Sequence, residues 1–307
     1  MTTFMGVPAF GEAQGGANAI GAGILGIPYE ATGHRPRTGA DQGPAGIRAQ
    51  SELLRPYQPP HADFNPLERL GVADFGDVEI PDAPVGEVCD AITAGVGRVL
   101  EAGAVPVCMG GDGSVTLGQL RALGAHHPPL GLIHIDAHAD AGPGKAPDEL
   151  SPTTTFTRAA EEGLLDMNRA VNVGLRGTQR AAGAFDFAAS LGYENITADE
   201  MIGRGLAETG AYLKARMGEA PVFLCFDMDF FDPACAPGVC QPEVGGPQAR
   251  EGLALLQSLA GLDFAGFDIN TVSPPHDVGG ITQLLAGRVM LECLALAAAE
   301  DSRLTNS

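Results

Sequence analysis

The sequence predicts an α/β fold, a single three-layer domain with a mostly parallel central sheet flanked by helices. Apolar runs with the length of buried strands alternate with longer segments of helical periodicity, as expected when helices cover both faces of a parallel sheet. The 307 residues are 45% hydrophobic, which is enough for one sizeable core. No internal repeat or long linker interrupts the alternation. Residues 21–307 are therefore predicted to form one domain, preceded by a Gly- and Ala-rich segment, 1–20, that is expected to be partly mobile.

The strands are predicted from short apolar runs such as AGILGIPY, LGLIHID and PVFLCFD. Such continuous runs are typical of strands that are buried on both faces of a parallel sheet. The predicted strands span residues 22–29, 70–78, 105–109, 130–136, 170–175, 221–227 and 263–269. The longer segments between them have the apolar spacing of helices. The predicted helices span residues 86–102, 114–125, 180–191, 198–217, 249–260 and 281–300.

Composition excludes several classes of function. The formal charge is -20, from 38 acids against 18 bases, and this charge repels nucleic-acid phosphates and anionic lipids. We therefore expect no nucleic-acid or membrane partner and favour a cationic ligand. We expect no apolar run of the roughly 18 to 20 residues that a membrane span needs, and the N-terminus lacks the pattern of a signal peptide, which predicts a cytoplasmic location. The six cysteines form no CxxC pair, so a zinc knuckle or a disulfide scaffold is not expected.

Two predicted strand ends carry unusually many metal-ligand side chains. IDAHADA places Asp136, His138 and Asp140 at alternate positions, and DMDFFDPACAPG places Asp227 and Asp229 in the same way. Ligands of open parallel sheets bind beyond the carboxyl ends of the strands. Four carboxylates in a small space repel one another unless cations are present. The pattern predicts a pair of divalent metal ions, and the oxygen-rich ligand set suits Mn²⁺ or a similar ion better than structural zinc.

Other motifs have a simpler interpretation. GAGILG at residues 21–26 precedes a strand instead of following one, so it does not predict dinucleotide binding. GGDGSVT lacks the lysine of a P-loop, and Ser114 is not framed as a hydrolase nucleophile. Asp112, Asp232 and Asp277 are interpreted as cap or turn residues, and His134 as a structural residue inside a strand. The remaining histidines are predicted to lie on the surface or in loops: His34, His61, His126, His127 and His276.

Several motifs occur in an order that resembles the arginase and agmatinase relatives, the ureohydrolases. They are GIPYE, GADQGPAGIR, GGDGSVTLG, IDAHADA, FDMDFFDPACAPG, QPEVGG and FDINTVSPPHD. The resemblance runs from about residue 24 to the final helix, and it implies an arginase-like fold. It also implies hydrolysis of the C–N bond of a guanidino or biguanide compound by a hydroxide that two Mn²⁺ or Ni²⁺ ions activate.

The resemblance also implies roles for individual residues. Asp136, His138, Asp140, Asp227 and Asp229 match the positions of the family's metal ligands. Glu243 in the QPEVGG segment matches the acid that holds the guanidinium group of the substrate beside the metals. That role agrees with the cationic ligand expected from composition.

The sequence departs from the family pattern at two chemically important positions. Gly113 stands where the family motif has a metal-binding histidine, and Pro152 stands where a proton-transfer histidine is expected. Loss of a positioned acid or base typically lowers the rate by about 10² to 10⁴. Thr271 also replaces a usual Glu, and GVCQPEV replaces GTGTPEP. We therefore identify no catalytic residue, and expect one nearly intact metal site, a second site without its imidazole, and partial metal occupancy.

Two hypotheses of function follow from these substitutions. In the first, the chain is a weak or non-catalytic subunit that partners an active ureohydrolase paralogue, similar to the degenerate subunit of the heteromeric metformin hydrolase. The family's trimers and hexamers make such an assembly the expected form. In the second, the chain is a self-sufficient amidinohydrolase of agmatinase type. A metal-dependent protein that binds a small molecule is a third alternative. The sequence leaves open whether the chain is an enzyme on its own.

Overall fold

The structure, a computed structural model, describes residues 2–13, 19–31, 37–146, 149–179 and 182–300. His34, which was predicted to lie in a loop or on the surface, is outside these ranges, as is the C-terminal segment 301–307.

Eight strands form one sheet in the order β2-β1-β3-β8-β7-β4-β5-β6. Every neighbouring pair in this order is parallel, so the predicted fold class is confirmed. Parallel strands need long crossover connections, and the helices between the strands supply them. The strands are β1 Ala22–Gly26, β2 Val72–Asp77, β3 Val105–Met109, β4 Leu130–Ile135, β5 Leu165–Leu175, β6 Glu194–Thr197, β7 Val222–Asp227 and β8 Phe264–Asn270.

The helices cover both faces of the sheet and complete the three layers. The helices α4, α5 and α6 pack on one face, and α9, α10 and α11 pack on the other. The described helices are α1 Phe10–Ala13, α2 Gly43–Ser51, α3 Pro66–Leu70, α4 Val85–Glu101, α5 Thr116–Gly124, α6 Thr155–Glu161, α7 Asp186–Leu191, α8 Ala198–Arg204, α9 Leu206–Met217, α10 Ala249–Ser258 and α11 Ile281–Glu300.

The apolar runs of the central strands explain the core. Ile133 and Ile135 of β4 belong to the cluster under α9, α10 and α11, whereas Leu130 and Leu132 belong to the cluster on the opposite face. All four side chains are completely buried. Side chains alternate along a strand, so a strand that is apolar at every position can occupy only the interior of a sheet that is covered on both faces.

One strand was not predicted, and another is longer than predicted. The strand β6, ENIT, is four residues long, and only Ile196 is fully enclosed, so it lacks the apolar run on which the strand predictions were based. The strand β5 begins at Leu165, five residues before the predicted start, because its polar first half, DMNR, does not read as a buried strand. In contrast, β1 ends at Gly26, before the predicted end at residue 29.

Helix predictions were wrong mainly at breaks and in short helices. The segment 198–217 forms two helices, α8 and α9, which are separated by Gly205 at φ 92°. This backbone conformation is accessible to glycine and ends a helix. The predicted helix 180–191 is helical only from Asp186, with residues 180 and 181 outside the described part. The helices α1, α2, α3 and α6 were not predicted.

The helix α11 corrects the expectation that no segment is long and apolar enough to cross a membrane. Residues Ile281–Ala299 meet that criterion, with a mean hydropathy of 1.5. However, 78% of the residues in this window are buried inside the protein, against α2, α3, α10 and β8. The core helix of a folded domain satisfies the same length and composition criterion, and this burial gives α11 that role.

The described part of the N-terminal segment contacts the domain. Phe4 is fully buried, and its backbone N–H donates a hydrogen bond to Asp74 Oδ2 at 2.9 Å. The N–H of Met5 donates to Ser51 Oγ at 2.8 Å. The division into a mobile segment, 1–20, and a domain, 21–307, stays a prediction.

Candidate metal centre

The candidate site lies where two neighbouring strands end. The strands β4 and β7 pair in register, with Ile135 opposite Phe226, so the next residues, Asp136 and Asp227, follow side by side. Asp229 lies in the short 3-10 helix Met228–Phe230 that continues β7. The sheet register therefore brings together two chain segments that are about 90 residues apart in sequence.

Backbone hydrogen bonds orient the carboxylates of these two loops. The N–H of His138 donates to Asp136 Oδ1 at 2.7 Å, and the N–H of Asp229 donates to Asp227 Oδ1 at 2.8 Å. The side chain of Asp227 is thus an N-cap for the following 3-10 turn. In both residues the backbone bond engages the Oδ1 atom, which fixes the orientation of the carboxylate.

The structure brings all five predicted ligand residues together in two overlapping groups. One group is Asp136, His138 and Asp229, and the other is Asp136, Asp140 and Asp227. Within each group, one ligand atom per residue lies within 4.8 Å of the others. Asp136 belongs to both groups, as expected for a carboxylate between two cations. The four aspartates are at most 8% exposed, so bulk water does little to screen their mutual repulsion.

Burial and neighbouring charges shift the pKa values in opposite directions. Burial and the nearby carboxylate of Asp136 raise the pKa of Asp229. Burial also raises the pKa of Asp136, but the imidazoles of His134 and His138 outweigh it and hold that pKa well below its usual value. Burial lowers the pKa of His138, yet Asp229 and Asp136 raise it well above its usual range. The two carboxylates thus favour the charged form of the imidazole.

The atoms at the centre of the first group fit a cation. His138 Nδ1 lies 3.2 Å from Asp229 Oδ2 and 3.3 Å from Asp136 Oδ1. Among the described residues, His138 Nδ1 and Asp229 Oδ2 are buried without a hydrogen-bond partner of acceptable geometry. Unpartnered buried polar atoms are costly unless something else satisfies them. Carboxylate oxygens with one imidazole are a donor set that suits Mn²⁺ and similar divalent ions.

Gly113 lies beside the second group, and Pro152 lies next to Gly113. A Cβ atom added to Gly113 would be 2.5 Å from Asp140 Oδ2 and 3.7 Å from Pro152 Cβ. Thr155 Oγ1 donates to the carbonyl oxygen of Gly113 at 2.8 Å, which fixes the two loops against each other. The two positions where the resemblance implied histidines are therefore adjacent in space, and Gly113 adjoins the Asp140 carboxylate.

The loop that follows β7 forms a wall of the site. Glu243 Oε1 lies 3.9 Å from His138 Nε2, and its other oxygen accepts from the N–H of Thr178 at 3.3 Å. Gln241 Nε2 is closer to the same ring nitrogen, at 2.6 Å. The predicted substrate-binding residue thus lies at the edge of the cluster, within reach of a ligand that sits above His138.

A cleft of about 180 Å³ opens onto this cluster. His138 and Asp140 lie at its base, and two neutral amides, Gln179 and Gln241, contribute to its wall together with Phe185. The rest of the described lining is small and mostly apolar. The cleft therefore combines one charged end with a largely uncharged interior.

Sequence reasoning missed two side chains that shape the site. One is Gln241, whose position in GVCQPEV was noted only as a departure from a family pattern. The other is Arg176, whose guanidinium donates to the carbonyl oxygens of Asp229 at 2.9 Å and Glu243 at 2.8 Å. Arg176 joins the two loops through their backbones, which no residue pattern in the sequence indicates. Its position directly after β5 was the available signal, because site residues follow the strand ends.

The simpler interpretations of other residues agree with the structure. His134 Nε2 lies 2.9 Å from Asp136 Oδ2, and its Nδ1 is 3.0 Å from Asn172 Oδ1, so it supports Asp136 from within β4. Asp112 accepts from the N–H of Ser114 at 3.0 Å as an N-cap. Asp232 and Asp277 accept backbone N–H groups in a turn and at the start of α11, respectively. The described surface or loop histidines are not among the cluster residues: His61, His126, His127 and His276.

Comparison with known proteins identifies the family. The model of the arginase family matches residues 20–296, which is most of the chain. The chain belongs to the arginase family. This arginase-family chain is 37% identical to guanidinobutyrase of Pseudomonas aeruginosa over 279 residues, covering 91% of this chain and 87% of that protein. It is 34% identical to mitochondrial agmatinase of Gallus gallus over 283 residues, covering 92% of this chain and 83% of that protein.

Solved structures agree with this assignment. The proclavaminate amidinohydrolase from Streptomyces clavuligerus superposes with a TM-score of 0.90 at 32% identity, covering 97% of each chain. Arginase from Bacillus subtilis, at 24% identity and a TM-score of 0.72, shares the fold. The family named from the motifs is thus confirmed. Arginase-family proteins depend on a pair of divalent metals, typically Mn²⁺, with which the cluster of this arginase-family chain is consistent.

Proposed function

We propose that this chain is a weak or non-catalytic subunit of a hydrolase that cleaves a C–N bond in a guanidino or biguanide compound. In this proposal it assembles with an active ureohydrolase paralogue, in the manner of the metformin hydrolase heteromer. The observation that carries the proposal is Gly113 beside the Asp140 carboxylate, with Pro152 next to Gly113. Glycine and proline offer neither a metal ligand nor a proton-transfer group, and both stand at the same side of the cluster.

The remaining residues fit partial metal binding. Asp136, His138 and Asp229, with Asp227 nearby, would hold one divalent ion, Mn²⁺ or Ni²⁺, by oxygen atoms and one imidazole. Asp136 and Asp227 with Asp140 would hold a second ion by carboxylates alone, and so more weakly. When bound, such ions supply Lewis-acid polarisation and make water more acidic.

The chain's own side chains would orient a cationic ligand at the mouth of the cluster. The Glu243 carboxylate lies 3.9 Å from His138 Nε2 and can pair with a guanidinium group there. Thr271 donates a short hydrogen bond to Asp227 Oδ1, where the family pattern would place an acid. One carboxylate fewer at this point weakens the attraction for a cation. The retained Glu243 carboxylate and the missing acid at Thr271 together support binding of a ligand with little turnover.

A self-sufficient amidinohydrolase of agmatinase type is the second candidate. The open cleft of about 180 Å³ above a complete first metal group favours it. Its relatives include proteins named guanidinobutyrase and agmatinase. In this case His138 and the cluster would act without the second imidazole.

The proposal includes the assembly and the location of the chain. We propose a trimer or hexamer that contains the active paralogue, in the cytoplasm, with no nucleic-acid or membrane partner. The formal charge of -20 supports a cationic guanidino-type ligand and disfavours anionic partners.

Purification of the chain alone and together with a paralogue separates the two candidates. Metal content is measured after incubation with Mn²⁺ or Ni²⁺, and urea release is measured with agmatine and 4-guanidinobutyrate. We expect sub-stoichiometric metal and turnover well below about 1 s⁻¹, the lower edge of ordinary enzymes, for the chain alone. Turnover above that value without a partner would reject the subunit proposal in favour of the second candidate.

A further inference from the structure

Gln241 contacts the imidazole of the metal cluster on the side that faces away from the carboxylates. Its Nε2 atom lies 2.6 Å from His138 Nε2, while His138 Nδ1 faces Asp136 Oδ1 at 3.3 Å and Asp229 Oδ2 at 3.2 Å. The nearest acid on that side, Glu243, is 3.9 Å away, which is beyond hydrogen-bond distance. Gln241 is therefore the hydrogen-bond partner of this ring nitrogen.

Two groups at this distance must be a donor and an acceptor, and a glutamine amide can be either. If the amide N–H donates, His138 Nε2 accepts and the proton of the neutral ring is on Nδ1. If the amide turns by 180°, its oxygen accepts from an Nε2–H group, and the Nδ1 lone pair points at Asp136 and Asp229. Only the second arrangement lets Nδ1 bind a cation. Metal-binding histidines usually donate their other N–H to such an acceptor.

We propose that Gln241 is a positioning residue that sets the tautomer and orientation of His138, and thereby the strength with which the first group binds a divalent cation. The inference rests on the proposed metal site. It is independent of whether the chain turns over substrate.

The test compares Gln241→Met with the wild-type chain by isothermal titration calorimetry with Mn²⁺. Methionine has a similar length but cannot accept the Nε2–H bond at the strength of an amide. Loss of such an outer partner typically weakens metal binding 10- to 100-fold, so we expect about a tenfold loss. Gln241→Ala is the second variant, and Gln179→Met, on another part of the cleft wall, is the matched control with unchanged affinity.

The tautomer itself gives a readout that a purely structural role would not change. Long-range ¹⁵N–¹H spectra distinguish Nδ1–H from Nε2–H rings. We expect wild-type His138 to move to the Nε2–H form on addition of Zn²⁺, a diamagnetic divalent ion that leaves the ring signals observable, and Gln241→Met to need more Zn²⁺ for the same change. Wild-type affinity in both folded Gln241 variants, or no uptake of Mn²⁺ by the wild-type chain, would overturn the inference. High turnover by the isolated chain would reject only the subunit role.

Discussion

Asp229→Asn is expected to stabilise the metal-free protein and to remove most of its stabilisation by metal. Asp229 is fully buried, and burial together with the Asp136 carboxylate raises its pKa. Its Oδ2 atom has no hydrogen-bond partner in the described structure, and its Oδ1 atom accepts only a long bond, 3.4 Å, from the N–H of Ala137. Asparagine keeps the shape of the side chain and removes the charge.

The size of the effect follows from these contacts. A buried polar group without a partner costs about 1 to 3 kcal/mol, and more when it is charged. The imidazole of His138, 3.2 Å away, offsets part of this cost in the wild-type chain. We therefore expect a net gain of about 1 to 2 kcal/mol for the metal-free variant. A chain of 307 residues has an unfolding entropy of about 0.6 kcal/mol/K, so its Tm rises by about 2 to 3 °C.

Binding of a metal ion reverses the order of stability of the wild-type chain and Asp229→Asn. A cation at 100 times its Kd stabilises the native state by about 2.7 kcal/mol, which corresponds to about 4 °C for the wild-type chain. The variant loses a ligand of the first group, so its Tm is expected to change little with Mn²⁺. The wild-type chain is then the less stable of the two without metal and the more stable with it.

Differential scanning calorimetry with EDTA and with excess Mn²⁺ measures this crossover. Asp263→Asn is the matched control, because it removes one exposed carboxylate at the start of β8, far along the strand from the cluster. It is expected to show the wild-type response to Mn²⁺. A metal-free Asp229→Asn variant that is less stable than the wild type, or one that keeps the full Mn²⁺ response, would refute the argument that unscreened carboxylates meet here.

Three further predictions concern other parts of the molecule. Gly113→Ala places a Cβ atom 2.5 Å from Asp140 Oδ2, so we expect a loss of about 1 to 3 kcal/mol and weaker uptake of a second metal ion, measured by chemical unfolding and metal analysis. Arg48→Met leaves Asp74 buried without its ion pair at 2.9 Å, and we expect a loss of about 3 to 5 kcal/mol in urea unfolding; a loss below 1 kcal/mol would contradict this. Burial raises the pKa of Asp268 in the folded chain. Its contribution to the free energy of unfolding is therefore greatest at low pH. This contribution is lost as the pH rises from about 4, the pKa in the unfolded chain, through the higher pKa in the folded chain. In Asp268→Asn this decline disappears, which unfolding curves between pH 4 and 7 can measure, and a decline equal to that of the wild type would exclude Asp268 as its source.

The buried centre of the sheet was predictable because its residues obey a local rule. The strands β3, β4, β7 and β8 consist of apolar residues at nearly every position, and the corresponding predictions match these strands to within one residue at each end. The edge strand β6 has only one enclosed apolar side chain, Ile196, so nothing local separates it from a loop. Its strand conformation depends on the pairing with β5, which sequence periodicity does not contain.

The candidate site was likewise predictable only in part. Alternation within IDAHADA and DMD predicted which side chains would face one way, and the position after a strand predicted that they would lie at one edge of the sheet. Two other contacts depend on how the loop after β7 folds back over the strand ends. They are the contact of Gln241 with His138 and the hydrogen bonds from Arg176 to the backbone of two loops.

The sequence by itself determined the fold class and the family, and it predicted the five residues that the structure brings together in the candidate cluster, because all of these follow from short patterns of residue type and spacing. Only the tertiary structure decided that Gly113, Pro152 and Asp140 adjoin, and that an amide partners the single imidazole of the cluster. The physical reason is distance along the chain. Local patterns record what a segment buries or exposes, whereas contacts between loops depend on the register of strands that are many residues apart.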